Sequence, residues 1–166
     1  NKEEMAQHGT AYAERRAILR ENLLAMKELW ADDEASFDGE YVQIEPSWAW
    51  PKPTQQPHPP IILGGDAGPK TAAHIAEFCD GWMPIGGRHA LDRWDEVSAA
   101  CERIDRDPAT VELGVFGAPP EEAKLTELAA KGARRAVFGL PQGTRDQVLL
   151  ALDAMAPLVE TMRSVG

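Results

Sequence analysis

Cysteine is almost missing from this sequence. Cys79 and Cys101 are the only two in 166 residues. Both stand beside apolar helical positions, which excludes a disulfide framework or a structural zinc site. Positive charge is scarce too: 17 Lys and Arg face 27 Asp and Glu, a net charge of −10. Nucleic acid or an acidic membrane surface would select a basic face, so neither is an expected partner. Long hydrophobic runs are also lacking. No stretch nears the roughly 18 unbroken apolar residues of a membrane span, and Asn1-Lys2-Glu3-Glu4 is too polar to open a signal peptide. The expected location is therefore the cytoplasm. The histidines His8, His58, His74 and His89 have no metal-ligand spacing with one another, with cysteine or with carboxylates, so no metal is expected and each is read as a surface or cap residue. A G-x-S-x-G elbow and a P-loop are both absent, and no residue stands out as general acid or base.

What is present has the composition of a folded domain, 43% hydrophobic and 27% charged. By length alone it is one domain, although opening on Asn rather than Met points to a piece of something longer. Tyr12, Leu19, Leu23, Met26 and Trp30 form one stripe of an amphipathic helix with Thr10 as its expected N-cap. Phe37 and Tyr41-Val42 flank Asp38-Gly39, a dipeptide suited to a tight hairpin turn because Gly takes positive φ without steric cost. From 45 to 60 the chain is Pro-rich and extended: Pro46, Pro51, Pro53, Pro57, Pro59 and Pro60 each fix φ and restrict the preceding residue. Trp48 and Trp50 within it either pack to pin the connection or shape the rim of a pocket.

After Pro60 the rhythm becomes regular. Ile61-Ile62-Leu63 reads as a buried strand stopped by Gly64-Gly65, followed by a helix with Pro69 in its first turn. Trp82-Met83-Pro84 then runs to Gly86-Gly87, and a helix carries Leu91, Trp94, Val97, Cys101 and Ile104. Val111 to Phe116 alternates as a third strand, before a helix from about Pro120 to Lys131 that stops at Gly132. Ala136 to Leu140 is the fourth strand, and Thr144 caps a last helix bearing Val148, Leu152, Met155, Val159 and Met162. Strands alternating with helices pair in parallel through right-handed crossovers, so the fold class is α/β. An open four-stranded doubly wound sheet and half of an eight-stranded (β/α) barrel both fit this order.

In either architecture ligands bind at the carboxyl ends of the parallel strands. Those ends are Gly64 to Gly68, Pro84 to Gly87, Gly117, and Pro141-Gln142-Gly143. The first is the most informative. Gly64, Gly65 and Gly68 let the backbone approach a ligand closely, and the N–H groups of the next helix's first turn favour an anion such as phosphate. Lys70 adds a charge and Thr71 a hydroxyl. The glycine spacing does not match the dinucleotide fingerprint G-x-G-x-x-G.

Several motifs occur in a telling order: Asn1 to Met5 with His8-Gly9-Thr10, Leu29-Trp30, Phe37-Asp38-Gly39-Glu40-Tyr41, Trp50-Pro51-Lys52-Pro53, Gln56 to Gly65, and Asp80-Gly81-Trp82. Together they resemble the luciferase-like monooxygenase family, in particular its F420-dependent oxidoreductases. The likeness is dense to about Gly87 and thins beyond it. It implies that residues 1–166 are a single partial domain, the C-terminal half of a (β/α)8 TIM barrel, truncated, holding strands five to eight. The Pro/Trp-rich connection 45–60 would then lie near the barrel mouth. The resemblance further implies F420, with FMN as the alternative cofactor, bound through Gly64, Gly65, Asp66, Ala67, Gly68 and Thr71. It implies a small-molecule substrate taking or giving a hydride, or monooxygenated with O2 in the FMN alternative, and a homo-oligomer. Asp66 departs from the pattern as a carboxylate beside the phosphate position, and is expected to turn away and cap the following helix. The roles of the family's remaining catalytic groups are not placed on residues of this sequence, since the family's first four strands, which carry much of the flavin-ring and substrate contact, are absent from it. The competing expectation is a non-catalytic fragment or scaffold, because half a barrel lacks its N-terminal strands and exposes an apolar face.

Overall fold

A computed structural model describes residues 1–85 and 93–163. Gly86, Gly87, His89 and Leu91 lie outside the described residues, as does the side chain of Met162. The chain divides into two compact units, 1–60 and 61–166.

The first unit holds helices α1 (Lys2–Gln7) and α2 (Arg15–Ala31) and an antiparallel pair, β1 (Ala35–Asp38) with β2 (Gln43–Ser47). Asn1 caps α1, its side chain accepting from the Glu4 N–H at 2.8 Å. Thr10 does not cap α2. The helix starts at Arg15 behind Glu14, and the Thr10 N–H instead donates to the Met5 carbonyl at 2.9 Å, closing the end of α1.

The hairpin forms where expected, but its glycine serves another purpose. Gly39 does not have positive φ. Instead the Glu21 carboxylate, reaching from α2, accepts the N–H groups of Glu40 (3.1 Å), Tyr41 (2.6 Å) and Val42 (2.9 Å). A Cβ on Gly39 would collide with that carboxylate and stand 2.8 Å from the Phe37 ring. Trp48 and Trp50 do not pack into a core: they are 76% and 64% exposed. Trp48 is held by its edge, Nε1 donating to Glu34 at 3.0 Å, and the Lys52 ammonium lies 5.3 Å from the Trp50 ring centroid. Lys52 also donates to the carbonyls of Leu29 and Asp32, closing the end of α2.

The second unit is α/β. Strands β3 (Ile62–Gly64), β4 (Gly81–Met83), β5 (Glu112–Phe116) and β6 (Ala133–Val137) form one parallel sheet in the order β3-β4-β5-β6. Between them run α3 (Pro69–Phe78), α4 (Trp94–Glu102) and α5 (Glu122–Ala130), and α6 (Arg145–Arg163) follows β6. Sequential order with parallel pairing is what repeated βα units produce. One face of the sheet packs on helices: Val115, Ala118 and Leu125 form a buried cluster with Leu128, Ala133, Phe138 and Leu158 against it. Trp82, fully buried, stacks on Trp94 of α4 at 6.3 Å between ring centroids. Ile62, Gly81, Met83, Gly114 and Arg135 share the opposite face by register.

The last strand begins three residues before its expected start at Ala136. Gly132, at φ +91°, ends α5 and turns the chain straight into Ala133. A register irregularity near Arg134 then returns Arg135 to the open face, where its Nε lies 3.0 Å from Glu112. At the far end Thr144 caps α6 as expected. The Gln147 N–H donates to the Thr144 hydroxyl at 3.4 Å and the Thr144 N–H donates to the Gln147 side chain at 2.8 Å, a reciprocal capping box.

Candidate functional site

Because the four strands are parallel, their carboxyl ends lie along one edge of the sheet. The β3–α3 turn is the candidate anion site named from the sequence. Gly65 sits at φ +101°, a backbone state that L side chains rarely adopt. Ala67 is fully buried and anchors the turn from below. Gly68 occupies the N-cap position of α3 with no side-chain cap, and Pro69 fills the first helical position without an N–H of its own. The first intrahelical bond runs from the Ala72 N–H to the Gly68 carbonyl at 2.9 Å. The donors ahead of it include the N–H groups of Gly68 and Lys70, at the positive end of the helix dipole. A Cβ at Gly65 or at Gly68 would meet nothing within 4 Å, so the space over the turn is open.

The structure brings Gly64, Gly65, Asp66, Ala67 and Gly68 together in this turn. The sixth predicted residue, Thr71, and the neighbouring Lys70 differ in exposure. Thr71 is buried, and Lys70 is exposed. Asp66 does not cap α3. Its carboxylate is 75% exposed and faces Arg93, with Oδ1 3.7 Å from Nε. Arg93 in turn holds Glu96 at 2.5 Å. The Glu96 carboxylate foremost, and Asp66 after it, raise the guanidinium's pKa further. The carboxylate within the turn thus pairs with a cation and makes no capping bond to the helix start.

Two contributors to this site escape sequence reasoning. Arg93 pairs with Asp66 across the βα unit, a long-range contact without periodic signal. Trp82 lies in the Asp80-Gly81-Trp82 motif, but only the fold shows its indole Nε1 donating to the Gly65 carbonyl at 2.9 Å. The neighbouring Asp80 carboxylate accepts the Ile61 N–H at 2.7 Å, tying the start of the first strand to the second. Among the described residues no group of three His, Cys, Asp or Glu is placed to hold a metal ion, and no described helix is long and apolar enough to cross a membrane.

A four-stranded parallel sheet built from repeated βα units, with a glycine turn at its carboxyl edge, defines an α/β protein. More narrowly, the chain belongs to the luciferase-like monooxygenase family, whose model matches residues 1–149. It is 36% identical over 160 residues to an uncharacterized protein of Mycobacterium tuberculosis, covering 94% of this chain and 55% of that one. The chain therefore spans about half the length of that relative. An F420-dependent glucose-6-phosphate dehydrogenase of Gordonia bronchialis is 35% identical over 101 residues, 58% of this chain and 29% of the relative. An FMNH2-dependent dimethylsulfone monooxygenase of Pseudomonas putida is 29% identical over 126 residues, covering 72% and 34%. Among solved structures, an F420-dependent secondary alcohol dehydrogenase superposes with a TM-score of 0.53 at 14% identity, covering 89% of this chain and 54% of that one. At that identity the likeness is one of fold.

Proposed function

We propose that this chain forms the cofactor-phosphate wall of an F420-dependent oxidoreductase that moves a hydride to or from a small organic substrate. In this reading β3 to β6 correspond to strands five to eight of a (β/α)8 barrel, residues 1–166 belong to that one domain, and the protein acts in the cytoplasm as a homo-oligomer. The single observation that carries it is the β3–α3 turn, where glycine backbone, an uncapped helix start and a carboxylate drawn off by Arg93 meet at the edge where α/β folds bind ligands. Gly64, Gly65, Gly68 and the N–H of Asp66 would hold the phosphate, with Lys70 as a nearby positive charge. The deazaflavin supplies the redox chemistry when bound; the protein's part is to bind and orient it.

FMN is the second reading, favoured by the likeness to an FMNH2-dependent monooxygenase; there O2 would be the co-substrate. Fluorescence titration of the chain, and of any longer protein that carries it, with F420 and with FMN separates the two. Saturable binding of F420 is the expected result, and saturable binding of FMN alone reassigns the cofactor. Binding of neither at high-micromolar concentration overturns the assignment and leaves a non-catalytic scaffold.

A further inference from the structure

The buried indole of Trp82 decides which way the candidate phosphate turn faces. Register sets Trp82 beside Leu63, and Gly65 lies two residues farther along the chain. That offset corresponds to about 6.6 Å of extended strand, a distance an indole bridges with its N–H at the far end. The Nε1 to Gly65 carbonyl bond of 2.9 Å is therefore a consequence of strand pairing. Trp82 is fully buried and stacked on Trp94 with an interplanar angle of 13°. A buried indole N–H without an acceptor is costly, so the bond satisfies a donor that burial would otherwise leave unpaired.

The consequence follows from peptide geometry. The Gly65–Asp66 peptide is trans, and in a planar trans peptide the C=O and the following N–H point in opposite directions. With the Gly65 carbonyl turned inward to the indole, the Asp66 N–H is turned away from the core. Among the described residues that N–H meets no backbone acceptor.

We propose that Trp82 is a positioning residue for the cofactor's phosphate, fixing the Gly65–Asp66 peptide so that the Asp66 N–H joins those of Gly68 and Lys70 in facing the anion. This rests on the cofactor reading above. The test compares wild type, Trp82→Phe and Trp94→Phe in the full chain. Each is titrated with FMN and with riboflavin, which shares the ring but lacks the phosphate, or with F420 and its phosphate-free riboside if F420 is the ligand bound. Loss of one aligned, charge-assisted N–H predicts that Trp82→Phe binds the phosphate-bearing ligand about tenfold more weakly, with the phosphate-free ligand unchanged. Trp94→Phe, which alters the stack and keeps the donor, should bind both as wild type does. Equal weakening toward both ligands would mark a merely structural role and overturn the proposal. Wild-type affinity in Trp82→Phe would overturn it too, while the cofactor reading stands. Failure of wild type to bind either cofactor would overturn the reading and the proposal together. If Trp82→Phe does not fold, replacing Trp82 by its benzothiophene analogue keeps the shape and removes only the donor, with the same outcomes expected.

Discussion

At the scale of single residues, the strongest local device in the first unit is Glu21. Burial alone would raise its carboxyl pKa, but the N–H groups of Tyr41, Val42 and Glu40, with Arg20 nearby, outweigh that and lower it below 4.5. A carboxyl lowered in the folded state contributes stability that is fully present above its unfolded value and is lost as pH falls through the folded one. Glu21→Gln should therefore lower the melting temperature by a few degrees at neutral pH, and the gap to wild type should close as pH drops below 4.5. Melting curves at pH 7, 5 and 3 check this, and a constant gap would refute it. Gly39→Ala should reproduce the neutral-pH loss, since its methyl group takes the space of the Glu21 carboxylate. Nothing in the sequence marks Glu21, because its three partners lie 19 to 21 positions away. The same holds for Asp66. Local chemistry predicts a helix cap, but the pull of Arg93 arrives through tertiary structure and wins.

At the scale of elements, the strands that alternate cleanly or run apolar into glycine were the legible ones. Ile62 to Gly64 and Glu112 to Phe116 fall within a residue of where the pattern puts them. The fourth strand was not, because half of it faces the open side of the sheet and carries Arg134 and Arg135. A search for apolar residues passes over these charges to the run that follows, of which Phe138 already packs beyond the strand against the Val115 cluster. The candidate turn was legible from its glycines, of which Gly65 takes the positive φ a sharp turn needs; the indole beneath it and the arginine beside it were not. Gly132 is the signal that should have placed the strand. At φ +91°, with nothing within 4 Å of the point a Cβ would occupy, its role is conformational. Gly132→Ala should cost about 1 kcal/mol, the penalty of the left-handed state for an L residue, read as a lower urea midpoint at unchanged m-value. Leu125→Ala, which opens the buried cluster under β5, should cost more, about 2–5 kcal/mol. A Gly132→Ala loss as large as that of Leu125→Ala would mean the turn is packed rather than merely bent.

At the scale of the whole molecule, the second unit ends on surfaces that folding has not used. Among the described residues β6 is hydrogen-bonded to β5 alone, and β3 to β4 alone, so each is an edge strand. Helix α6, which packs against α5, is apolar over more of its circumference than its packing needs. Val148, Ala151, Met155 and Leu158 are partly buried, while Leu149, Leu152 and Val159, one step round the helix, are 40%, 44% and 40% exposed, and Leu150 is 71% exposed. An open strand edge and apolar surface on a helix flank are each what further βα units would cover. The opposing influence is the net charge of −10, which makes copies repel. Salt decides between them, since at about 0.15 M the screening length shrinks to about 8 Å while apolar burial is little affected. The chain should therefore self-associate, with a mass by light scattering above 18.2 kDa that rises as salt is added. Leu150→Glu combined with Leu152→Glu should return it to the monomer mass at every salt concentration. A wild-type monomer throughout would mean that the edge and the flank are covered within the chain, and would make the four-stranded sheet a self-sufficient domain instead of one face of a larger barrel.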